Sequence, residues 1–374
     1  MSLFPQPRPG ILDITPYVGG KGGSGDQSNV AKLSSNENPL GPSARAIEAY
    51  QSTAASLHRY PQGGSEALAQ AIGLRFDLDP GRIVCGAGSD ELITLLIRAY
   101  AGPGDEVLVS QHGFLMYKLA SLAAGAHVVE APETALRTDV DALLQRVTSR
   151  TRILFVANPN NPTGSFIDEA ELARLHAGLP PNVILAIDAA YAEYAEGTPG
   201  YDSGLALAAR HENVVSLRTF SKLFGLAALR LGWLYGPERI VDTLHRVRGP
   251  FNVGLPAQAA GAAALADLEH QAAARAHNDR WLPWVTQEIE GMGLKVWPSL
   301  GNFVLIEFPR QPGRDAAAAE AFLEAAGVIP RAMGSYGLGH CLRISIGTEA
   351  ENRKLVQALS AFQARHASPS GSDR

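Results

Sequence analysis

Residues 214–235 read VVSLRTFSKLFGLAALRLGWLY, and this stretch indicates how the chain folds. It contains two short apolar runs, Val214–Leu217 and Gly232–Tyr235, of the kind that forms strands buried on both faces. Polar residues follow the first run directly, and Lys222 lies among them in an apolar, glycine-containing neighbourhood. The stretch therefore predicts a buried sheet with a lysine just beyond the end of one strand.

The preceding part of the chain repeats this pattern. Four further apolar runs predict strands: Glu106–Ser110, His127–Glu130, Ile153–Ala157 and Val183–Ile187. Helical patterns lie between the runs, and the clearest are Asp90–Tyr100, Asp168–Ala177 and Pro237–Arg248. Alternation of strands and helices predicts an α/β fold with a mainly parallel sheet.

The C-terminal part predicts a second, smaller α+β unit, which the N-terminal segment completes. An alanine-rich helical pattern runs from Pro256 to about Asn278, and the last helix opens with the capping box Thr348 to Glu351. The other predicted elements are strands Leu294–Trp297, Phe303–Phe308 and Leu342–Ile346 and helices near Asp315–Ala326 and Glu349–His366. The predicted divisions are an arm at 1–40, a large domain at 41–255, an interdomain helix and small domain at 256–366, and a disordered tail at 367–374.

Composition excludes several classes of function. The 374 residues carry 32 basic and 37 acidic side chains without a cluster of either sign, so neither nucleic acid nor an anionic membrane is an expected partner. No apolar run approaches the roughly 18 residues of a membrane span, and the first residues lack the apolar core of a signal peptide. Cys85 and Cys341 cannot form a disulfide framework, and no metal site is predicted. We expect a soluble, cytoplasmic protein.

Polar residues follow several predicted strands directly. Ligands in open α/β sheets lie outside the carboxyl ends of the strands, so these residues are expected to share one site. They are Asn161 after the run ending at Ala157, Asp188 and Tyr191 after the run ending at Ile187, and Thr219, Ser221 and Lys222 after the run ending at Leu217. Ser89 and Asp90 open a helix and are expected to join them.

This set of residues suits pyridoxal phosphate. A desolvated lysine has a neutral amine, which forms Schiff bases with carbonyl groups, so Lys222 is the candidate nucleophile. The cofactor also needs an acid beside its ring nitrogen, which Asp188 can provide. Its phosphate needs anion ligands, and the candidates are Ser89, Asp90, Thr219, Ser221 and Arg230.

Each residue alone also has an ordinary structural explanation. A single lysine is usually a solvated surface residue, Asp188 could cap a turn, and Ser89 could be a plain helix N-cap. Lys222 and Arg230 are also eight residues apart, about 12 Å along an ideal helix. Both can reach one ligand only if the chain bends between them, and Gly225 permits such a bend.

The motifs in the chain resemble those of fold type I, class II pyridoxal-phosphate aminotransferases, most closely the histidinol-phosphate aminotransferase branch. The resemblance extends from Leu33–Gly41 to Leu342–Gly347. The motifs that carry it are Arg59-Tyr-Pro61, Gly88-Ser-Asp-Glu91, Asn158-Pro-Asn-Asn-Pro-Thr-Gly164, Asp188-x-x-Tyr191, Thr219-Phe-Ser-Lys222 and Phe224-Gly-Leu-Ala-x-Leu-Arg230-x-Gly232. The resemblance implies a large domain with a mainly parallel seven-stranded sheet.

The resemblance also implies roles for individual residues. Lys222 is similar to the lysine that binds the cofactor covalently and then moves the substrate proton, and Asp188 to the partner of the ring nitrogen. Asn161 and Tyr191 resemble donors to the ring oxygen, and Phe114 the aromatic residue that stacks on the ring. Ser89, Asp90, Ser221 and Arg230 resemble the phosphate ligands, and Tyr60 resembles a tyrosine that reaches the cofactor of the partner in a homodimer.

The implied reaction transfers an amino group from histidinol phosphate to 2-oxoglutarate in histidine biosynthesis. The predicted substrate-binding residues are Tyr17, Asn38, Arg331 and Arg343. Alternatives are an aromatic amino acid aminotransferase, a threonine-phosphate decarboxylase, and a non-enzymatic pyridoxal-phosphate sensor. No DNA-binding segment precedes residue 33, which disfavours the sensor.

The substrate side departs from the pattern of the resembled family at three places. Val-Gly-Gly-Lys21 follows Tyr17, His112-Gly113 precedes the stacking aromatic residue, and Pro330 precedes Arg331. The glycine-rich tract Gly19–Gly25 predicts a mobile arm or lid near the site and matches no phosphate loop.

Overall fold

A computed structural model describes residues 6–8, 10–16, 19–21 and 30–365. Tyr17, predicted to bind substrate, lies outside the described residues, and so do the predicted tail at 367–374 and most of the glycine-rich tract. Within the described ranges, no helix combines the length and the apolar character that crossing a membrane requires. Cys85 and Cys341 are both free thiols and both are buried.

Helices and strands alternate along most of the described chain. The helices are α1 Ala44–Ser52, α2 Glu66–Phe76, α3 Ser89–Tyr100, α4 Leu115–Ala124, α5 Val140–Leu144, α6 Glu169–Ala177, α7 Ala192–Ala195, α8 Leu205–Arg210, α9 Glu238–Val247, α10 Leu255–Ala266, α11 Leu268–Gly291, α12 Ala316–Ala325 and α13 Glu349–Ala364. The strands are β1 Ala31–Lys32, β2 Ile83–Gly86, β3 Glu106–Ser110, β4 His127–Ala131, β5 Glu133–Thr134, β6 Arg137–Thr138, β7 Thr151–Ala157, β8 Ile184–Asp188, β9 Val214–Thr219, β10 Gly232–Tyr235, β11 Lys295–Trp297, β12 Phe303–Glu307, β13 Val328–Ile329, β14 Arg331–Ala332 and β15 Cys341–Ser345.

The central sheet has seven strands in the order β2-β10-β9-β8-β7-β3-β4. Strand β10 is antiparallel to both of its neighbours, and the remaining pairs are parallel. The mainly parallel sheet confirms the α/β prediction. Strand β2 was not among the strands predicted from apolar runs, because its four residues are followed at once by a glycine-containing turn.

Successive residues of the central strands face opposite sides of the sheet and build two apolar cores. On β7, Leu154 and Val156 pack into one core, whereas Ile153 and Phe155 pack into the other. All four side chains are buried, as expected for a sheet that helices cover on both faces. The strand ends are therefore the places where polar side chains of this sheet can meet a ligand.

The predicted continuous helix from Pro256 to about Asn278 is wrong in two respects. The chain breaks at Asp267, whose side chain accepts a hydrogen bond from the His270 amide at 3.2 Å and so caps a new helix. The second helix, α11, continues to Gly291 even though Pro283 lies inside it. Its residues Trp281, Val285 and Ile289 recur at helical spacing and pack into the smaller core, so tertiary packing outweighs the proline.

The smaller unit is built on a four-stranded sheet in the order β11-β12-β15-β14. Strand β1, near the N-terminus, pairs in parallel with β13 and so joins the N-terminal segment to this unit. The capping box at the start of α13 is present as predicted, with reciprocal hydrogen bonds between Thr348 and Glu351. Helix α10, which the predicted boundary at residue 255 assigns to the smaller part, packs Ala257, Ala260 and Ala264 into the core of the large sheet.

Candidate active site

A pocket opens where the carboxyl ends of β7, β8 and β9 meet the start of α3 and the edge of the smaller sheet. Most of the predicted site residues line it: Ser89, Asp90, Phe114, Asn161, Asp188, Tyr191, Thr219, Ser221, Lys222, Arg230, Arg331 and Arg343. These residues come from segments far apart in sequence. The expectation that the polar residues at the strand ends share one site is therefore met by the geometry.

Two of the predicted residues that the structure describes are not brought into this pocket, and a third lies outside the described residues. Tyr60 is 82% exposed and stacks on the ring of Phe251, with 4.6 Å between the ring centroids. Asn38 is buried outside the pocket, where its Nδ2 donates to the carbonyl oxygen of Leu223 at 2.6 Å. Tyr17 lies outside the described residues. The roles of these three residues stay predictions.

Asp188, the last residue of β8, places a carboxylate at the floor of the pocket. The side chain is only 4% exposed, and its Oδ2 accepts a hydrogen bond from the Tyr117 hydroxyl at 2.7 Å. Its Oδ1 is buried and has no hydrogen-bond partner among the described residues. Burial raises the pKa of this carboxyl to about 6. The site therefore holds a spare acceptor that a protonated nitrogen would satisfy.

Lys222 contributes the amine of the pocket. Burial, together with the nearby Arg343 guanidinium, lowers the pKa of Lys222 to about 8. Its Nζ donates to the carbonyl oxygen of Ser35 at 3.3 Å and lies 5.6 Å from the centroid of the Tyr191 ring. About a tenth of this amine is therefore neutral and nucleophilic at pH 7, far more than for a solvated lysine.

The chain bends between Lys222 and Arg230, as a shared site requires. Residues 222–226 form no helix, and Ala227–Leu229 form only a short 3-10 turn. Gly225 has a φ of 69° and lies so close to Gly41 that an added Cβ would be 2.2 Å from its carbonyl oxygen. Only glycine fits this close approach, which turns the chain back toward the pocket.

Arg230 closes the other end of the pocket against the start of α3. Its Nη2 donates to Asp90 Oδ2 at 2.9 Å, and its Nη1 donates to the Ser221 hydroxyl oxygen at 3.3 Å. Gly88, just before the helix, has a φ of 87°, and an added Cβ would be 2.5 Å from Arg230 Nη2. Backbone amides, a hydroxyl and a guanidinium thus converge at a helix N-terminus, an arrangement that binds phosphate.

The opposite wall carries two arginines on neighbouring strands. Arg331 of β14 and Arg343 of β15 are paired residues in the antiparallel ladder. Arg343 is buried, and it donates to Asn161 Oδ1 and, at 2.9 Å, to the carbonyl oxygen of Ser34. Two guanidinium groups side by side can bind two anionic groups of one ligand, or one group of each of two ligands.

Two residues that sequence reasoning missed contact the predicted site. Asn36 Nδ2 donates to the Tyr191 hydroxyl oxygen at 2.8 Å, and Tyr117 donates to Asp188. Asn36 lies inside the Leu33–Gly41 motif, so its position was a usable signal. Tyr117 follows Phe114 by three residues, which places both on one face at the start of α4.

The segment before Phe114 is held by a buried polar cluster. His112 Nδ1 lies 2.8 Å from Glu133 Oε2, and the Ser110 hydroxyl also donates to Glu133. Both ring and carboxylate are shielded from solvent, with side-chain exposures of 9% and 1%. His112, one of the residues at which this chain departs from the resembled family, is thus held in place by Glu133.

Comparisons with known proteins agree with this arrangement. Residues 28–359 match the sequence model of the family described as aminotransferase class I and II. A histidinol-phosphate aminotransferase from Paramagnetospirillum magneticum is 55% identical over 358 residues, covering 96% of this chain and 98% of that protein. One from Rhodospirillum centenum is 56% identical over 355 residues, covering 95% and 98%.

A solved structure has the same fold as this chain. The histidinol-phosphate aminotransferase from Sinorhizobium meliloti in complex with pyridoxal-5′-phosphate superposes with a TM-score of 0.87 at 26% identity, covering 98% of this chain and all of that chain. The prediction of a fold type I aminotransferase is confirmed. The chain therefore belongs to the family of class I and II aminotransferases.

Proposed function

We propose that this aminotransferase transfers the amino group of histidinol phosphate to 2-oxoglutarate, as a step of histidine biosynthesis. The observation that carries the proposal is the 55% identity to a histidinol-phosphate aminotransferase over nearly the full length of both chains. The paired arginines on β14 and β15 support it, because histidinol phosphate carries a phosphate monoester and glutamate carries two carboxylates.

Pyridoxal 5′-phosphate is the cofactor, and the pocket fits it. The buried, unpartnered Oδ1 of Asp188 suits a protonated ring nitrogen, and the close approach of Gly88 to Arg230 makes a tight anion cradle at the start of α3. When bound, the cofactor supplies an aldehyde that condenses with amines and a protonated ring that accepts electron density.

The residues of this chain would divide the work as follows. The Lys222 amine binds the cofactor covalently and afterwards moves a proton at the substrate carbon. Asp188 holds the ring nitrogen in its protonated form, and Phe114 packs on the ring. Asn161 and Tyr191 donate to the ring oxygen, and the phosphate is held by Ser89, the Asp90 amide, Thr219, Ser221 and Arg230. The half-buried position of Lys222 limits the access of water to its amine.

Arg331 and Arg343 would recognise the two substrates. In our proposal Arg343 holds the anion nearest the reacting carbon, and Arg331 holds the distal phosphate of histidinol phosphate, together with Tyr17. Asn38, the remaining predicted substrate-binding residue, is held beside the lysine by its hydrogen bond to the carbonyl oxygen of Leu223. A shared pair of cationic donors explains how one pocket can take a phosphate monoester in one half-reaction and a dicarboxylate in the other.

A cytoplasmic homodimer with shared active sites is a further part of the proposal, as are the domain divisions at residues 40, 255 and 366. Tyr60 and Phe251 form an exposed aromatic stack outside the pocket, and Ile47, Tyr50 and Leu57 of the same region are also exposed. Exposed apolar groups of this kind favour a subunit interface. Mixing inactive Tyr60→Ala and Lys222→Ala proteins should restore activity at one hybrid site, whereas a fully active monomer would contradict the shared site.

Single-turnover half-reactions test the substrate assignment directly. The enzyme would be mixed with histidinol phosphate, phenylalanine, tyrosine, alanine or phosphothreonine, and conversion of the cofactor would be followed by absorbance. We expect the highest kcat/KM for histidinol phosphate. Preference for phenylalanine would instead indicate an aromatic aminotransferase, and release of carbon dioxide from phosphothreonine would indicate a decarboxylase.

A further inference from the structure

We propose that Tyr117 is a positioning residue for the cofactor, whose hydroxyl group holds Oδ2 of Asp188 and leaves Oδ1 for the ring nitrogen. The inference rests on the proposed function, since it requires a cofactor with a ring nitrogen in this pocket. Tyr117 acts only through Asp188 and is not one of the residues that line the pocket. Its effect must therefore depend on the presence of that nitrogen.

The hydrogen bond divides the two oxygens of the carboxylate between protein and ligand. The Tyr117 hydroxyl donates to Oδ2 at 2.7 Å, and Oδ1 keeps its lone pairs free of any hydrogen bond within the described part of the chain. A carboxylate with both oxygens unpartnered could rotate about its terminal torsion, which is a soft one. With Oδ2 engaged, the direction of Oδ1 is set before any ligand arrives.

Aromatic packing holds the donor itself in place. The Tyr117 ring stacks on Phe155 with 4.6 Å between centroids and 8° between planes. Phe114 meets the same ring edge-on, with centroids 5.8 Å apart and an interplanar angle of 87°. The phenol is therefore clamped from two sides, so its oxygen cannot move to another acceptor without disturbing the core.

The charges around Asp188 explain why the carboxylate needs this donor. The pKa of Asp188 is raised to about 6: burial and the Asp90 carboxylate of α3 raise it, whereas the Tyr117 hydroxyl, the Ala190 amide and the Lys222 ammonium lower it. Burial and Asp188 also raise the pKa of Tyr117 well above its usual value, and Tyr336 faces it from the smaller unit. Tyr117 thus stays a protonated donor, and losing it would leave more of Asp188 neutral near pH 7.

The test is Tyr117→Phe, which removes the oxygen and keeps the ring against Phe155. The dissociation constant of pyridoxamine 5′-phosphate would be measured by fluorescence on the full-length protein freed of cofactor, across pH 5.5–8.5. Losing a hydrogen bond to a charged group should weaken binding by about tenfold. The loss should grow toward the acidic end, where Asp188 without its donor is neutral.

A cofactor analogue separates positioning from general structure. In the carbocyclic analogue, a CH group replaces the ring nitrogen, so it gains nothing from an ionised Asp188. We expect Tyr117→Phe to change its affinity by less than about twofold. The matched control is Tyr201→Phe, which loses a 3.0 Å hydrogen bond to the Asn158 carbonyl oxygen and should bind both ligands like the unmodified protein.

A double-mutant cycle completes the experiment. In an Asp188→Asn background, Tyr117→Phe should have less than about a twofold effect, because the group through which it acts is gone. Equal weakening of both ligands, an effect independent of pH, or a Tyr117→Phe protein that does not fold would overturn the proposal. An unmodified protein that binds no pyridoxal phosphate would instead overturn the proposed function.

Discussion

The two walls of the pocket are built in different ways. The wall at the ends of β7, β8 and β9 takes its polar groups from the residues at, or just after, the ends of buried parallel strands, such as Asp188 and Lys222. The opposite wall takes Arg331 from the first position of the edge strand β14 and Arg343 from the middle of the neighbouring strand β15 of the smaller sheet. The positions of the polar groups in the first wall follow from the strand order, because the ends of parallel strands meet at one edge. The positions of the two arginines in the second wall depend on the residue types within its strands. Cofactor chemistry is therefore easier to recognise in this chain than substrate choice.

The largest effect is expected at the first wall, from Lys222→Ala. Loss of a positioned general acid–base group should lower the single-turnover rate by about 100- to 10,000-fold. The variant should still bind pyridoxal phosphate through Asp188 and Arg230. Lys118→Ala is the control, because that lysine pairs with Glu130 at the surface. Borohydride reduction and peptide mapping of the unmodified protein should label Lys222, and a label on another lysine would refute the assignment.

The support behind the first wall is expected to give the next largest effect. Arg218, beside Thr219 on β9, is 1% exposed and donates to Glu193 at 2.7 Å. Glu193→Ala should lower the free energy of unfolding in urea by about 3–5 kcal/mol, because it leaves a buried guanidinium without its main partner. The exposed pair of Lys118 and Glu130 gives the comparison: Glu130→Ala should cost at most about 1 kcal/mol. Similar losses in both variants would show that the buried pair of Arg218 and Glu193 does not stabilise this wall more than an exposed pair does.

The second wall is tested by Arg331→Ala. Losing one charge-assisted contact should cost about 1.5–3 kcal/mol, or roughly ten- to a hundredfold in kcat/KM for histidinol phosphate. Phenylalanine has no phosphate, so its turnover should hardly change. The control is Arg239→Ala, since Arg239 lies on α9 and pairs with Glu212. If the variant lost activity equally toward both donors, Arg331 would have no specific role in binding the phosphate.

The smallest expected effect is a shift in a pH midpoint. The pKa of Lys222 is lowered to about 8. The neutral fraction of its amine therefore falls as the pH drops below 8. The rate of covalent capture of pyridoxal phosphate should rise about tenfold per unit up to pH 8 and then level off. N-acetyl-lysine amide in the same buffers controls for the ionisation of the aldehyde reagent. If the midpoint of Lys222 coincided with that of this solvated lysine, the amine would not be desolvated.

Much of the large sheet could be predicted because its strands are short apolar runs with clear ends. Strands β3 and β10 begin and end at the predicted residues. Strand β2 was missed because a four-residue run before a glycine-containing turn gives little periodic signal. The helix break at Asp267 was missed for another reason. Composition favoured a continuous helix, and only the side-chain hydrogen bond to His270 shows where a new one begins.

The site was predictable where sequence neighbours supply its groups, and less so where distant segments meet. Lys222 and Ser221 could be placed together from one stretch. The contact of Tyr117 with Asp188 joins residues 71 positions apart, and the contact of Arg343 with Ser34 joins residues 309 positions apart. No local pattern encodes such contacts, because they depend on how whole elements pack. The bend at Gly225 lies between these cases: the residue type permitted it, and the packing on Gly41 requires it.

The reversed direction of β10 fixes the length of the loop that precedes it. Because Gly232 pairs with Thr219, the chain leaves the pocket rim at the end of β9 and must return to that same rim before β10 begins. The twelve residues between these partners thus form a closed span with both ends pinned. An inserted or deleted residue there would displace either the Lys222 amine or the Arg230 guanidinium from the pocket. Natural variation in this segment should therefore occur by substitution at constant length.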